Sequence, residues 1–191
     1  PMSELILSCD DGCLSDIRVA ELAEKYDLQC TFYWPVEWKS LAYDKGYEPL
    51  TFRQAQEIAK KHEVGCHGYT HRYLTRISGE EARIELLDCK LAMEKMFGKT
   101  IEKFCFPRGY SSEEITAFVL GAGFYGYRMT RGNDTEGYKL VHVHPNSGAN
   151  DNKRWQDCIT DKTHLWFHSK DLDEFSLWDE LEEVLRENHT A

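Results

Sequence analysis

Two groups of polar residues in this sequence have types and spacings that suit a metal ion. One is the pair Asp10-Asp11, which follows the mainly apolar residues 5–9, and the other is His67 with His71. A spacing of four residues places two imidazoles on one side of a helical turn, close enough to share an ion. Two histidines and one carboxylate form a common catalytic zinc set, which leaves a coordination position for water.

Each group also has a simpler interpretation when it is taken alone. Asp10-Asp11-Gly12 is good turn chemistry, and two histidines four residues apart are by themselves a weak metal signal. Adjacent residues at the end of a strand point in different directions, so Asp10 and Asp11 can serve one site as a base and as a metal ligand. Because both groups follow predicted strands, metal binding is the favoured interpretation.

The later part of the chain carries further histidines. His168 ends the apolar run 164–168, and its imidazole titrates near neutrality, as a catalytic acid must. His142 and His144 alternate along another predicted strand and face the same side, which makes a second metal pair an alternative there. The remaining histidines are interpreted as surface or structural residues: His62, His164 and His189.

These residues depend for their positions on strands that alternate with helices. Short apolar runs predict strands at residues 5–9, 30–34, 63–67, 104–106, 124–129, 140–143 and 164–168. Amphipathic stretches predict helices at residues 15–26, 51–62, 79–97, 112–120 and around 175–185. This alternation predicts βα units and a largely parallel sheet or barrel, in which the chemistry collects at the carboxyl ends of the strands.

The clearest predicted helix covers residues 79–97. A capping box begins it at Ser78, where the side chain can bind the backbone of the first helical turn. Ile84, Leu87 and Leu91 then form an apolar stripe, which is expected to face the core of the protein.

The composition fits a globular protein of one domain. The chain has 191 residues, 41% of them apolar, and its 23 basic and 33 acidic side chains give a formal charge of −10. This length is short for a full eightfold β/α barrel, which usually needs about 250 residues. The acidic balance argues against nucleic acid as a partner.

The sequence also gives an expectation about the compartment. Nothing in it resembles a targeting signal, and no apolar run approaches the roughly 20 residues of a membrane span. Because Pro1 precedes Met2, the removal of a leader peptide stays an open alternative. The seven cysteines include no CxxC pair and are interpreted as buried free thiols, which fit a reducing cytoplasm.

In their order along the chain, these motifs resemble those of carbohydrate esterase family 4, the polysaccharide deacetylases, which share a domain with the rhizobial chitooligosaccharide deacetylases. The family's Thr-Phe-Asp-Asp-Gly motif reads Ser-Cys-Asp-Asp-Gly at residues 8–12, and its His-Ser/Thr-x-x-His motif reads His-Gly-Tyr-Thr-His at 67–71. The Arg-x-Pro-Tyr motif is matched loosely at 105–108, and the Leu-x-His motif by Trp-Phe-His at 166–168. The resemblance covers residues 4–170, nearly the whole chain.

The resemblance implies a fold and a role for each motif residue. The family fold is a deformed β/α barrel with fewer than eight full units, which would account for the short chain. Asp11, His67 and His71 become the ligands of a divalent metal, with zinc expected. Asp10 becomes the general base, and His168 becomes the general acid that protonates the departing amine.

The resemblance also implies substrate contacts. A backbone N–H at Arg108 would hold the oxyanion together with the metal. Trp166 occupies the position whose side chain lines the acetyl-methyl pocket in the family, where a larger aromatic would favour small acyl groups. Four further aromatic residues are candidate sugar-stacking surfaces: Tyr69, Tyr110, Trp155 and Trp34.

The sequence departs from the family at the residue that steadies the base. The third-motif arginine of the family is replaced by Cys105, which cannot pair with the carboxylate of Asp10. The family's Asp-x-x-Asp-Trp motif corresponds to residues 151–155, where Arg154 replaces the second aspartate. We hypothesise that Arg154, or alternatively Arg108, reaches Asp10 and keeps it ionised.

The leading functional hypothesis is metal-dependent removal of N-acetyl groups from an N-acetylated sugar or polysaccharide. One alternative is hydrolysis of another C–N bond, such as a formamide or a cyclic amide, which relatives with the same fold carry out. A degenerate glycan-binding module is a second alternative, against which the presence of all five motif side chains argues. A structural zinc protein is disfavoured, because structural sites are usually closed by four protein ligands.

Overall fold

Seven short strands pair in parallel at the centre of the computed structural model, which describes residues 4–147 and 153–188. They are β1 (Glu4–Asp10), β2 (Cys30–Trp34), β3 (Glu63–Cys66), β4 (Lys103–Cys105), β5 (Gly126–Arg128), β6 (Lys139–His142) and β7 (Lys162–His168). Their order is β5-β4-β3-β2-β1-β7-β6, and the sheet is curled into a half-barrel with β5 and β6 at its edges. The prediction of a deformed β/α barrel with fewer than eight full units is confirmed.

Helices cover the outer face of this sheet. They are α1 (Asp16–Lys25), α2 (Trp38–Lys45), α3 (Phe52–Ala59), α4 (Gly79–Arg83), α5 (Cys89–Phe97), α6 (Glu113–Gly121), α7 (Ser169–Glu174) and α8 (Trp178–Asn188). The sequence does not predict α2, because the apolar pattern of this helix is weak and its buried residues are only Trp38 and Ala42. None of the helices in the described residues is long and apolar enough to cross a membrane.

The central strand β1 directs alternate side chains into two environments. Leu7 and Cys9 are buried in the main apolar core between the sheet and the helices. Ser8 and Asp10 lie on the opposite face, inside the half-barrel, where both make polar contacts. In the parallel pairing of β1 with β7, Asp10 is the register partner of His168, so the candidate base and acid end neighbouring strands.

Below the candidate site, polar groups fill part of the half-barrel. The ring of His164 lies between the hydroxyl of Ser8 and the carboxylate of Asp134, with each ring nitrogen 2.7 Å from its oxygen partner. Ser8 and His164 are both buried, and the two contacts satisfy both polar atoms of the imidazole. These contacts agree with the interpretation of His164 as a structural residue.

The predicted helix over residues 79–97 is interrupted by a π-helical turn at Ile84–Asp88, between α4 and α5. The wider turn rotates the helical faces on its two sides relative to each other. The predicted apolar stripe is therefore wrong, because Ile84, Leu87 and Leu91 are 38%, 37% and 65% exposed. The residues buried along this segment are Ala82, Glu85, Leu86, Cys89 and Met93.

The buried carboxylate of Asp16 connects α1 to the strands around it. Its Oδ2 accepts a hydrogen bond from the indole of Trp34 at 2.8 Å, and its Oδ1 accepts from the hydroxyl of Ser169 at 2.6 Å. The thiol of Cys9 lies 3.2 Å from the same Oδ1. Burial raises the pKa of Asp16 to about 7, although the three hydrogen bonds oppose this shift.

This raised pKa predicts a pH-dependent stability contribution from Asp16. The folded protein keeps the proton of Asp16 at pH values where the unfolded chain releases it, so ionisation destabilises the fold as the pH rises from about 4 to about 8. We expect the free energy of unfolding of Asp16→Asn, minus that of the wild type, to rise by about 2–4 kcal/mol over this range. Urea unfolding at several pH values measures this difference, and a difference independent of pH would contradict it.

Candidate active site

Asp11, His67 and His71 converge at the carboxyl ends of β1 and β3. The Oδ1 atom of Asp11 lies 3.4 Å from Nε2 of His67 and 3.4 Å from Nε2 of His71. All three side chains are buried, and one ligand atom from each lies within 4.8 Å of the other two. The structure thus brings together the three residues that the resemblance implied as metal ligands.

The chemistry of this set fits a divalent metal ion. Oδ1 of Asp11 is buried but accepts no hydrogen bond within the described ranges 4–147 and 153–188. Such an orphaned oxygen costs free energy, which a cation held between Asp11, His67 and His71 would remove. Tetrahedral zinc with bonds of about 2.0–2.2 Å places its ligand atoms about 3.3–3.6 Å apart, in agreement with the separations of 3.4 Å.

Neighbouring groups prepare these side chains for coordination. Nδ1 of His67 lies 2.8 Å from the carbonyl oxygen of Cys105, which accepts the Nδ1–H, so Nε2 is the ring nitrogen that faces Asp11. Burial, together with the charge of His67, lowers the pKa of His71 to about 3, which keeps this imidazole neutral. Nζ of Lys45, at the end of α2, lies 2.6 Å from Oδ2 of Asp11 and leaves Oδ1 for an ion.

Glu85 holds the loop that carries both histidines. Its Oε2 accepts hydrogen bonds from the backbone N–H groups of Tyr69, at 2.8 Å, and of Thr70, at 3.0 Å. The hydroxyl of Thr70 donates to Oε1. The loop is tightly constrained, since His71 has a left-handed φ of 65° and a Cβ at Gly68 would lie 2.7 Å from Oε2 of Glu85. The π-helical turn therefore supplies the carboxylate that fixes the metal loop.

Asp10 is held as a buried carboxylate by an arginine. The side chain of Asp10 is 4% exposed, and its Oδ1 accepts a hydrogen bond from the guanidinium of Arg128, which is 1% exposed. Burial would raise the pKa of Asp10, but the charge of Arg128, with those of His67 and His168, lowers it below the ordinary value. The other oxygen, Oδ2, is 3.8 Å from the thiol sulfur of Cys105, a weak donor.

His168 approaches Asp11 from the end of β7. Its Nε2 is 3.6 Å from Oδ2 of Asp11, and its Nδ1 is 3.0 Å from Oδ2 of Asp171, in the first turn of α7. Burial lowers the pKa of His168, but the charge of Asp11 and the hydrogen bond to Asp171 raise it above the ordinary value. The imidazolium form is therefore stabilised, as a general acid requires.

The structure corrects the hypothesis about which arginine supports Asp10. Arg154 is exposed, and its backbone N–H binds Asp157 at 2.9 Å in a local turn. The exposed guanidinium of Arg108 lies over the ring of Tyr73, 5.2 Å from its centroid. Arg128 makes the contact instead, because β5 ends inside the half-barrel beside Asp10. Residues 151 and 152 of the matched motif lie outside the described residues.

Three residues of this site are not among those predicted from the sequence. Arg128 carried a usable signal, because it lies near the end of the predicted strand 124–129, where the strand-end rule applies. Asp171 follows His168 by three residues at the start of a helix, which is a weaker signal. Lys45 belongs to the unpredicted helix α2, so no motif indicated that it would approach Asp11.

The candidate aromatic residues lie in different environments. Trp155 is 2% exposed and Trp34 is fully buried in the apolar core, so the prediction that they offer stacking faces to a sugar is wrong. Tyr110 is 58% exposed and packs against Tyr73, with ring centroids 5.7 Å apart. Tyr69 is half-buried in the metal loop.

Trp166 is enclosed on both of its faces. Its ring stacks on His142 with centroids 3.8 Å apart and an angle of 4° between the planes. The guanidinium of Arg128 lies 5.0 Å from the ring centroid. Trp166 is therefore fixed beside Asp10 and His168, and it reduces the space next to them.

Comparison with known proteins identifies the family. A profile of the polysaccharide deacetylase family matches residues 2–128, which is more than half of the sequence. The chain belongs to the polysaccharide deacetylase family, whose members are carbohydrate deacetylases, a class of hydrolases. Among proteins with curated descriptions, none is matched.

Solved structures support the fold. A family 4 carbohydrate esterase from Bacillus anthracis has a TM-score of 0.67 and 17% identity, over 100% of this chain and 81% of that one. The Streptococcus pyogenes deacetylase PplD, solved in complex with acetate, has a TM-score of 0.61 and 15% identity, over 88% of this chain and 68% of that one. Wild-type BA3943, a family 4 pseudoenzyme from Bacillus anthracis, has a TM-score of 0.68 and 18% identity, over 96% of this chain and 62% of that one. The present chain thus spans less than two thirds of the length of BA3943.

The contacts of Glu85 predict that it supports metal binding from outside the ligand set. Glu85→Ala leaves the N–H groups of Tyr69 and Thr70 without their acceptor and loosens the loop. We expect the zinc dissociation constant to rise by about 10- to 100-fold, as for other groups that orient metal ligands. Competition with a chromophoric chelator measures the constant. Glu80→Ala, at an exposed position of the adjacent helix turn, is the matched control, and an equal effect in both variants would contradict the prediction.

The buried ion pair predicts a large and coupled stability effect. Arg128→Met leaves Asp10 buried without a counter-charge, which we expect to lower the free energy of unfolding by about 3–5 kcal/mol. Adding Asp10→Asn to Arg128→Met should recover at least about 1 kcal/mol, because the unpaired charge is removed. Denaturant unfolding measures both values. The exposed Arg154→Ala is the control and should change little, so a loss as large as that of Arg128→Met would refute the assignment.

Proposed function

We propose that this protein is an active deacetylase that removes N-acetyl groups from an N-acetylated sugar, with zinc bound by Asp11, His67 and His71. The observation that carries the proposal is the arrangement of two further groups around this set. Asp10 is ionised and paired with Arg128, and His168 faces the same Asp11 from the neighbouring strand. A base, an acid and a metal-ligand set at one end of a half-barrel suit hydrolysis of an amide.

Asp10 serves as the base in this mechanism. When bound, a divalent ion supplies positive charge for the acyl oxygen and lowers the pKa of a water molecule toward about 7. Because Arg128 binds Oδ1 of Asp10, the proton of the attacking water is accepted at Oδ2. The thiol of Cys105, 3.8 Å from Oδ2, donates too weakly to compete for this role.

His168 serves as the acid. Asp171 accepts the Nδ1–H of His168, so the proton available for transfer is on Nε2, which faces the site. The departing amine receives this proton, because an unprotonated amine is a poor leaving group. The negative charges of Asp11 and Asp171 favour the imidazolium form of His168, so the acid is protonated before the transfer.

The backbone N–H of Arg108 is assigned to the acyl oxygen. Arg108 has a φ of 64° in the short turn Pro107–Gly109, which directly follows β4. The charge of Arg108 contributes to lowering the pKa of His71, in keeping with a position close to the metal ligands. A donor at this place adds to the charge stabilisation of the tetrahedral intermediate.

A second candidate function is hydrolysis of a smaller C–N substrate, such as a formamide or a cyclic amide. Trp166 favours it, because this wide ring is enclosed by His142 and Arg128 and cannot turn away to admit a bulky acyl group. A glycan-binding module without activity is disfavoured by the complete set of a base, an acid and three candidate ligands.

The test compares metal content and acyl release in three proteins. Wild type should bind one tight equivalent of zinc and release acetate from N-acetylglucosamine oligomers. Asp10→Asn should keep the metal and lose at least about 100-fold in rate, while His71→Ala should lose both. Formate release from N-formyl substrates, in place of acetate, would favour the second candidate. Bound zinc without any acyl product would contradict both enzymatic functions.

A further inference from the structure

A second set of metal-ligand side chains lies beside His168. A ring nitrogen of His142, a ring nitrogen of His168 and a carboxylate oxygen of Asp171 lie within 4.8 Å of one another. His142 ends β6, His168 ends β7 and Asp171 lies in the first turn of α7, so three elements converge on this place. Two imidazoles and one carboxylate are a donor set that suits zinc and similar divalent ions.

Among the described residues, His142 is the member of this set with an unsatisfied buried ring nitrogen. Its Nε2 is buried and has no hydrogen bond in the part of the chain that the structure describes. The ring is held flat against Trp166 on one face and stacks on His144 on the other, with centroids 5.0 Å apart. A fixed imidazole with a buried, unused nitrogen is poorly explained by packing alone, because a phenyl ring would stack equally well without an unsatisfied polar atom.

We propose that His142, His168 and Asp171 form a second cation site, which zinc or a similar divalent ion occupies when the metal is in excess. An ion here must displace the hydrogen bond between Nδ1 of His168 and Oδ2 of Asp171, now 3.0 Å long. It also meets the positive charge of Lys170, which pairs with the other oxygen of Asp171. Both costs make this site weaker than the one formed by the ligands around Asp11.

Occupation of the second site would inhibit the enzyme, a consequence that rests on the proposed role of His168. An imidazole that binds a metal through one nitrogen can release a proton from the other nitrogen only by becoming an imidazolate. This release is unfavourable at neutral pH, so the departing amine would no longer receive its proton. Excess zinc would therefore slow turnover while the tight ion remains bound.

The experiment counts metal equivalents by calorimetric titration with Zn²⁺ and checks them with Co²⁺, whose absorption spectrum reports its ligands. Wild type should bind two equivalents, the second at least 100-fold more weakly than the first. His142→Phe, which keeps the stacking on Trp166, should bind the tight equivalent alone, and His142→Leu should do the same. His144→Phe is the matched control and should keep both equivalents.

Activity at rising zinc concentration gives the second readout. Wild type and His144→Phe should lose at least tenfold in rate between one equivalent and saturation of the weak site, whereas His142→Phe should lose less than twofold. A single equivalent in wild type, or a second equivalent that persists in both His142 variants, would overturn the proposal. Failure of the proposed function looks different, because acyl release would then be absent from wild type at every zinc concentration, whatever the number of metal equivalents bound.

Discussion

The burial of two adjacent carboxylates, Asp10 and Asp11, is the constraint around which this end of the half-barrel is organised. An ion removed from water costs several kcal/mol unless opposite charge and hydrogen bonds replace the water. Here the replacements come from separate elements, with Arg128 at the end of β5, Lys45 at the end of α2 and His168 at the end of β7. The charges are thus balanced only when the sheet is curled and its flanking helices are in place, so the site and the fold form together.

The register of β1 determines where the carboxylates of Asp10 and Asp11 lie. Pairing with β7 sets Asp10 opposite His168, and the alternation along β1 turns Cys9 toward the helices and Ser8 and Asp10 into the half-barrel. A shift of one residue would exchange these two faces and bury Cys9 where a carboxylate is required. Asp11 follows the end of β1 and does not share the alternation of its side chains. Its backbone is left-handed, with a φ of 82°, and this turn brings its side chain to His67 and His71.

The sequence predicts this fold well where apolar periodicity and strand ends carry the information. The seven predicted strands follow from short apolar runs, and the polar residues at their ends indicate a metal site, but the choice of Asp11 over Asp10 as the ligand rests on the family resemblance. The π-helical turn breaks the stripe of Ile84, Leu87 and Leu91, because Glu85 is drawn inward to satisfy the N–H groups of the metal loop. Such a tertiary demand leaves no trace in local periodicity. The burial of Trp155 likewise depends on long-range packing.

Asp10 has an arginine partner although Cys105 replaces the family's arginine. Cys105 and Arg128 are register partners on the adjacent strands β4 and β5, so the guanidinium reaches Asp10 from one strand farther along the sheet. Arg128 supplies a buried charge and a hydrogen bond to Oδ1 of Asp10 from outside the motif. Because Asp10 requires a cation at one of its oxygens, and not an arginine at one place in the sequence, this contact supports the proposed role of Asp10 as the base.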